Sequence, residues 1–108
     1  MAWVVLCELA ELVEDQGKYV EIDGYQMAVF FHAGKVYALD NECPHAGGPL
    51  SEGAIEDDFC VCPWHAWHFC LATGALKDAP GVTISRYETR LLEREGKPTL
   101  VQADLPMP

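Results

Sequence analysis

The chain has 108 residues, of which 50% are apolar and 22% are charged, so its length and composition predict one folded domain with a modest core. Seventeen acidic against seven basic residues give a formal net charge of −10, which repels phosphate backbones and anionic lipid and argues against nucleic-acid binding. No apolar run approaches the roughly 18 residues of a membrane span, and the N-terminus lacks a secretory signal pattern. We therefore expect a cytoplasmic protein without membrane association.

The first part of the chain is typical of an antiparallel meander. Apart from a short helical pattern at residues 8–13, β-branched and aromatic residues alternate in three segments. An Asp23-Gly24 pair, which is a strong hairpin signal, separates the first two segments, and Ala33-Gly34 separates the second from the third. The predicted strands are residues 18–22, 25–31 and 35–39.

The second part of the chain alternates loops with shorter strands. Glycine, proline and asparagine dominate residues 41–53, which predicts a loop with a possible turn at residues 51–52. We further predict strands at residues 59–62 and 67–71 around a loop at 63–66, a turn at 79–81, a hairpin of residues 86–93 and 98–102, and a loose tail at 105–108. The whole pattern predicts a single all-β domain spanning residues 1–108.

The cysteines favour a metal site over a disulfide scaffold. There are five, an odd number, and without a secretory signal a reducing environment is expected. Four of them lie between residues 43 and 70, with three of the four histidines. Cys7 reads as a small core residue. A disulfide between Cys60 and Cys70 is conceivable, but free buried thiols are the favoured reading.

The chemistry is concentrated in two short Cys/His pairs. Cys43-Pro44-His45 and Cys62-Pro63-Trp64-His65 are separated by the sixteen residues 46–61. Both pairs lie on predicted loops that contain proline, whose fixed φ limits how far the ligands can move. Loop backbone N–H groups can also point inward at an anionic centre. This arrangement suits a rigid inorganic cofactor.

This pattern, with the glycine-rich segment 47–53 after the first pair and Thr73-Gly74 after the second, resembles the Rieske [2Fe–2S] proteins over residues 43–74. The resemblance implies a small antiparallel β-sandwich or barrel with a cluster-binding subdomain, about residues 41–81, inserted between its strands. It also implies one [2Fe–2S] cluster, with one iron bound by the two cysteines and the other by the two histidines. The implied ligands are Cys43, His45, Cys62 and His65.

The implied ligand set predicts one-electron transfer at a raised potential. Two neutral imidazoles in place of two thiolates remove two negative charges, which makes reduction easier than in a four-cysteine cluster. Respiratory family members carry a disulfide-forming cysteine at the positions of Gly48 and Trp64, and sulfur-directed hydroxyls at those of Trp67 and Phe69. Without those hydroxyl donors, we expect a potential toward the lower end of the roughly −150 to +300 mV Rieske range.

The resemblance favours a ferredoxin that carries single electrons from a flavoprotein reductase to a terminal enzyme such as a multicomponent oxygenase, and that is not itself an enzyme. One alternative is a tightly bound small subunit of an assimilatory nitrite reductase-like enzyme, which the segment 71–74 and the short loops also resemble. Two others are a structural zinc site, since two cysteines and two histidines satisfy tetrahedral zinc, and a non-redox interaction module that lacks the cluster.

Several polar residues near these loops stay outside the predicted site. His68 follows His65 by three positions but is expected to face solvent on its strand, and His32 reads as a surface hairpin residue. Acidic side chains at positions 52 and 56–58 could steer a basic partner, although solvated turns explain them equally well.

Overall fold

The structure, a computed structural model, describes residues 2–44 and 47–106, and the regular secondary structure of this part is almost entirely β-strand. Single 3₁₀ turns span Leu9–Glu11 and Leu50–Glu52. No helix in the described part of the chain has the length and apolar character needed to cross a bilayer. In chain order the strands are β1 (Ala2–Glu8), β2 (Lys18–Ile22), β3 (Tyr25–His32), β4 (Lys35–Asp40), β5 (Ala54–Glu56), β6 (Phe59–Val61), β7 (His68–Cys70), β8 (Ala75–Leu76), β9 (Ala79–Thr83), β10 (Arg86–Tyr87), β11 (Thr89–Arg94) and β12 (Lys97–Leu105).

Within the described residues the strands form three antiparallel sheets. Their strand orders are β1-β12-β11, β10-β4-β3-β2 and β5-β6-β7-β8-β9. The third sheet occupies a continuous stretch of chain between the meander and the final hairpin. The predicted all-β class is therefore confirmed.

Strand β3, inside the four-stranded sheet, is buried on both faces. Met27 and Val29 of β3 join one apolar cluster with the core residues of β1 and β12, whereas Ala28 and Phe30 join a second cluster with residues of the five-stranded sheet. Successive residues of a strand point to opposite faces, so neighbouring side chains of β3 enter different clusters. All four side chains are fully buried. The second cluster contains Cys43 and is the one that reaches the metal-ligand candidates.

The three strands of the predicted meander are confirmed, and the residues around them needed correction. Residues 8–13 hold only one 3₁₀ turn, in which the Glu8 N–H donates to Glu11 Oε2 at 2.8 Å, and the chain before it is the unpredicted strand β1. Leu105, assigned to the tail, is fully buried at the end of β12 opposite Ala2. The N-terminal strand and the C-terminal strand thus cover the core together.

Two further predictions were wrong in detail. The turn expected at residues 79–81 is part of β9, an edge strand with every residue exposed, where a proline removes no needed hydrogen bond. The strand expected over 86–93 is divided at Glu88. The part before Glu88 pairs with β4 and the part after it pairs with β12, because the chain changes from one sheet to another.

Candidate metal centre

The first candidate loop is closed by its own backbone. The Cys43 N–H donates to the Gly48 carbonyl at 2.9 Å, and the Gly47 N–H donates to the Cys43 carbonyl at 2.7 Å. The predicted ligand His45 lies outside the described residues. The hydrogen bonds therefore fix the part of the loop that carries the first cysteine.

Asn41 holds the two ends of this loop together. Its carbonyl accepts from the Leu50 N–H at 2.7 Å, and its side-chain Oδ1 accepts from the Ser51 N–H at 2.8 Å. The second bond uses a short polar side chain in the way that asparagine commonly stabilises turns. The sequence indicated this role of Asn41 only indirectly, through the many turn-forming residues in segment 41–53.

The second candidate loop connects β6 to β7. The Cys62 N–H donates to the Trp67 carbonyl at 2.8 Å, and the Ala66 N–H donates to the Cys62 carbonyl at 2.9 Å. Ala66 adopts a left-handed conformation with φ of 58°, which is uncommon for a residue with a Cβ. The resulting tight loop leaves His65 exposed.

The two loops meet where Gly48 packs against the second loop. A Cβ built on Gly48 would lie 2.9 Å from Cys62 Sγ and 3.1 Å from Trp64 Cγ. Gly48 and Trp64 stand at the two positions where the resemblance implies disulfide-forming cysteines in respiratory family members. Here a glycine and an aromatic ring in close approach replace that covalent link, so packing holds the loops together.

Burial divides the candidate ligands into two kinds. The exposed fraction is 0% for Cys43 and 1% for Cys62, and both thiols lie in one apolar cluster. His65 is exposed at the surface, and the neighbouring Trp64 is 59% exposed. Two buried sulfur donors and an accessible imidazole on adjacent loops fit a cluster whose sulfur side is dry and whose nitrogen side faces solvent.

Cys60 is buried beside these thiols but is chemically different. Burial, followed by the charges of Cys62 and Cys43, raises the pKa of Cys60 to about 12. Its Sγ donates to the Leu50 carbonyl at 3.4 Å. Cys60 therefore stays a protonated core thiol. Cys60 and Cys70 form no disulfide with each other, and Cys7 is buried in the core as predicted.

Comparison with protein families decides the family of the chain. A family model described as the Rieske [2Fe–2S] domain matches residues 2–88. The chain belongs to the Rieske [2Fe–2S] family. Its Rieske domain accordingly has one [2Fe–2S] cluster as its cofactor, and the resemblance of residues 43–74 is confirmed at the level of the family.

Curated relatives place the Rieske domain in proteins of different lengths. It is 30% identical over 87 residues to apoptosis-inducing factor 3 of Mus musculus and of Homo sapiens, covering 80% of this chain and 14% of theirs. The chain thus spans about a seventh of the length of those relatives. It is 36% identical over 75 residues to the 3-phenylpropionate/cinnamic acid dioxygenase ferredoxin subunit of Photorhabdus laumondii, covering 68% of this chain and 70% of that one.

Solved structures share the whole fold. A structure provisionally described as the small subunit of an NADH-dependent nitrite reductase from Mycobacterium tuberculosis has a TM-score of 0.84 at 26% identity, covering 98% and 97% of the two chains. The ferredoxin of Sphingomonas yanoikuyae B1 has a TM-score of 0.80 at 28% identity, covering 97% and 100%. A ferredoxin in complex with the oxygenase of carbazole 1,9a-dioxygenase gives 0.77 at 26%, covering 94% and 91%.

Proposed function

We propose that this Rieske domain is a one-electron carrier, in which Cys43 and Cys62 bind one iron of the cluster and His45 and His65 bind the other. The observation that carries the proposal is the pair of fully buried thiols on two facing loops, beside an exposed His65. When bound, the cluster supplies the exchange of a single electron. The carrier itself makes and breaks no covalent bond in a substrate.

The apolar cluster behind the loops excludes water from the sulfur ligands. Leu50 and Phe69 are fully buried in the same cluster as the two thiols, with Trp67 packed at its edge. A dry environment favours a nearly uncharged metal centre and protects it from hydrolysis. On the other side, exposed His65 and Trp64 lie where a partner protein can approach closely.

We infer that residues about 41–81 act as the cluster-binding subdomain, since they contain both loops and most of the five-stranded sheet.

The partners we propose are a flavoprotein reductase as electron donor and a terminal oxygenase, or another oxidoreductase, as acceptor. Two observations support this: relatives that are ferredoxin components of dioxygenase systems, and the similarity to a ferredoxin seen in complex with an oxygenase. The net charge of −10 suits docking to a basic surface. We place the protein in the cytoplasm, where a reducing environment keeps the thiols of Cys7, Cys60 and Cys70 reduced.

The first experiment determines the metal centre. Freshly purified protein should be coloured, contain iron and acid-labile sulfide in equal amounts, and give an electron paramagnetic resonance signal of a Rieske type after reduction with dithionite. A colourless protein containing zinc would refute the redox function. A protein that folds without any metal would instead support the interaction-module alternative.

Two neighbouring buried cysteines provide a matched test of the ligand assignment. Cys62→Ser removes a proposed ligand and should abolish the cluster. Cys60→Ser removes a thiol that is equally buried but donates to a carbonyl, so this variant should retain the cluster. Iron and sulfide content and the visible spectrum distinguish the variants. A cluster that survives Cys62→Ser and is lost in Cys60→Ser would reverse the assignment.

A second candidate function is a fixed subunit of a nitrite reductase-like enzyme. It is favoured by the TM-score of 0.84 to the Mycobacterium tuberculosis structure, with nearly complete coverage of both chains. Size-exclusion chromatography of the native protein separates the two functions. A carrier elutes alone, whereas a fixed subunit co-elutes with a large partner at low nanomolar concentration.

A further inference from the structure

His68, which the sequence analysis left outside the site, makes two side-chain hydrogen bonds next to the second loop. Its Nδ1 lies 2.8 Å from the Ala66 carbonyl oxygen, and its Nε2 lies 3.0 Å from Glu56 Oε2. A carbonyl oxygen only accepts, so Nδ1 carries a proton and donates it to this bond. The side chain is 28% exposed, which leaves it partly sheltered from water.

The carbonyl that His68 holds belongs to the residue directly after His65. Ala66 has a φ of 58°, and its own N–H donates to the Cys62 carbonyl. A left-handed conformation costs a residue with a Cβ conformational energy, so it persists where surrounding contacts enforce it. The bond from His68 is a contact of this kind, and it acts on the residue directly after the candidate ligand His65.

Glu56 holds the His68 ring from a position outside the second loop. Glu56 lies on β5 and His68 on β7, and both side chains share the face of the sheet on which Phe59 of the intervening strand β6 packs against the His68 ring, with ring centroids 6.3 Å apart. The imidazole is therefore fixed by a carboxylate on one side and by an aromatic ring below. Its orientation toward Ala66 is set by the sheet and not by the loop.

We propose that His68 is a positioning residue for the cluster: it fixes the Ala66 carbonyl, and through it the loop that presents His65, with Glu56 orienting the ring. The inference rests on the proposed function, since it takes His65 as a ligand of the cluster. His68 itself touches neither the cluster nor a partner in this role.

Two amide substitutions separate the two nitrogens of the ring. In His68→Asn the amide nitrogen occupies nearly the position of Nδ1 and can still donate to the Ala66 carbonyl, but the side chain cannot reach Glu56. In His68→Gln the amide lies nearer the position of Nε2, which keeps the contact with Glu56 and loses the one with Ala66. His68→Ala removes both bonds, and Glu56→Ala removes only the carboxylate.

The readouts are the g-values of the reduced cluster and its rate of loss to an iron chelator, with the thermal midpoint measured in parallel. A lost hydrogen bond is worth about 1 kcal/mol, or roughly a fivefold change in a rate. We expect His68→Ala and His68→Gln to lose the cluster about fivefold faster, with shifted or broadened g-values. His68→Asn should stay within about twofold of the wild type, and Glu56→Ala should show a smaller change in the direction of His68→Ala.

The same data can overturn the proposal. If His68→Asn behaves like His68→Ala, the bond to Ala66 is not the cause. If the variants lower the thermal midpoint but leave the g-values and the rate of loss at wild-type values, His68 has a merely structural role. A wild type without any [2Fe–2S] signal would defeat the proposed function as well, whereas a normal wild type with unaffected variants would defeat the positioning role alone.

Discussion

Gly48 lies so close to Cys62 that a methyl group on its Cα would stand 2.9 Å from the sulfur. The contact joins the first loop, which follows β4, to the second loop, which follows β6. It places a backbone against a proposed ligand atom and leaves no space for another side chain. A substitution at Gly48 in the first loop therefore acts directly on the proposed ligand Cys62 in the second loop.

The contact predicts that Gly48→Ala weakens the centre. The added Cβ would also lie 3.1 Å from Trp64 Cγ, so either the ring or the sulfur must move. Overpacking of this kind typically costs about 1–3 kcal/mol. We expect a lower cluster content on purification and a lower free energy of unfolding, measured by iron analysis and by denaturant titration. Gly81→Ala is the matched control, since nothing lies within 4 Å of a Cβ built there. Equal behaviour of the two variants would contradict the close-packing account.

Replacement of a proposed imidazole ligand should lower the reduction potential. His65→Cys exchanges a neutral ligand for a thiolate, and the added negative charge disfavours the reduced cluster by on the order of 100 mV. Potentiometric titration of protein with a verified iron and sulfide content measures the shift. Trp64→Phe changes the adjacent exposed ring without changing ligand charge and should leave the potential near that of the wild type. An intact cluster with an unchanged potential in His65→Cys would exclude this electrostatic explanation.

The His32 ring connects the end of β3 to the turn between β5 and β6. Its Nδ1 lies 2.6 Å from Asp15 Oδ1 and its Nε2 lies 2.9 Å from Asp58 Oδ1. Hydrogen bonds to Asp15, and then to Asp58, raise the pKa of His32 above 6.5. Both carboxylates accept, so the doubly protonated ring is the form that the folded protein stabilises. The surface hairpin position predicted for His32 is correct, but the side chain is only 15% exposed and is fully paired.

This arrangement predicts a pH-dependent contribution to stability. Because the pKa is raised in the folded state, the stabilisation is complete below the unfolded value of about 6.5 and is lost as the pH rises through the raised folded value. The difference in unfolding free energy between wild type and His32→Gln should be largest near about pH 5.5 and should shrink toward about pH 9, as measured by urea unfolding. Taking the difference removes the general effect of the acidic surface. A difference that stays constant with pH would show that the ring acts by packing alone.

The part-buried hydroxyl of Tyr87 contacts Asp40, the residue just before the first loop, and it should matter more for stability than an exposed hydroxyl. The Tyr87 hydroxyl donates to Asp40 Oδ1 at 2.7 Å, and burial together with that bond raises the pKa of Tyr87. We expect Tyr87→Phe to cost about 1.5–3 kcal/mol, because a partly buried carboxylate loses a donor. Tyr19→Phe is the control, since its hydroxyl donates to Glu21 from a side chain that is 45% exposed. Similar losses of unfolding free energy in the two variants would count against a special role of the Asp40 contact.

Local sequence patterns were sufficient for the meander and for the loops, and insufficient for pairing between distant segments. The Asp23-Gly24 hairpin depends on neighbouring residues, and the structure has it as predicted. By contrast, β1 is a strand because it pairs with β12 at the other end of the chain, which no local pattern specifies. The division of the last hairpin at Glu88 has the same origin, since two different sheets compete for one segment.

The amino-acid sequence was enough to predict the chemistry: two Cys/His pairs on proline-containing loops indicate sulfur and imidazole donors, and their resemblance to the Rieske proteins implies a [2Fe–2S] cluster. Tertiary structure alone decided which neighbours support those donors. The contact of Gly48 with Cys62, the reach of His68 to Glu56 and the protonated state of Cys60 all depend on side chains brought together from separate strands. Ligand identity is a property of residue type and short spacing, whereas packing, orientation and pKa depend on distances that exist only after the sheets have assembled.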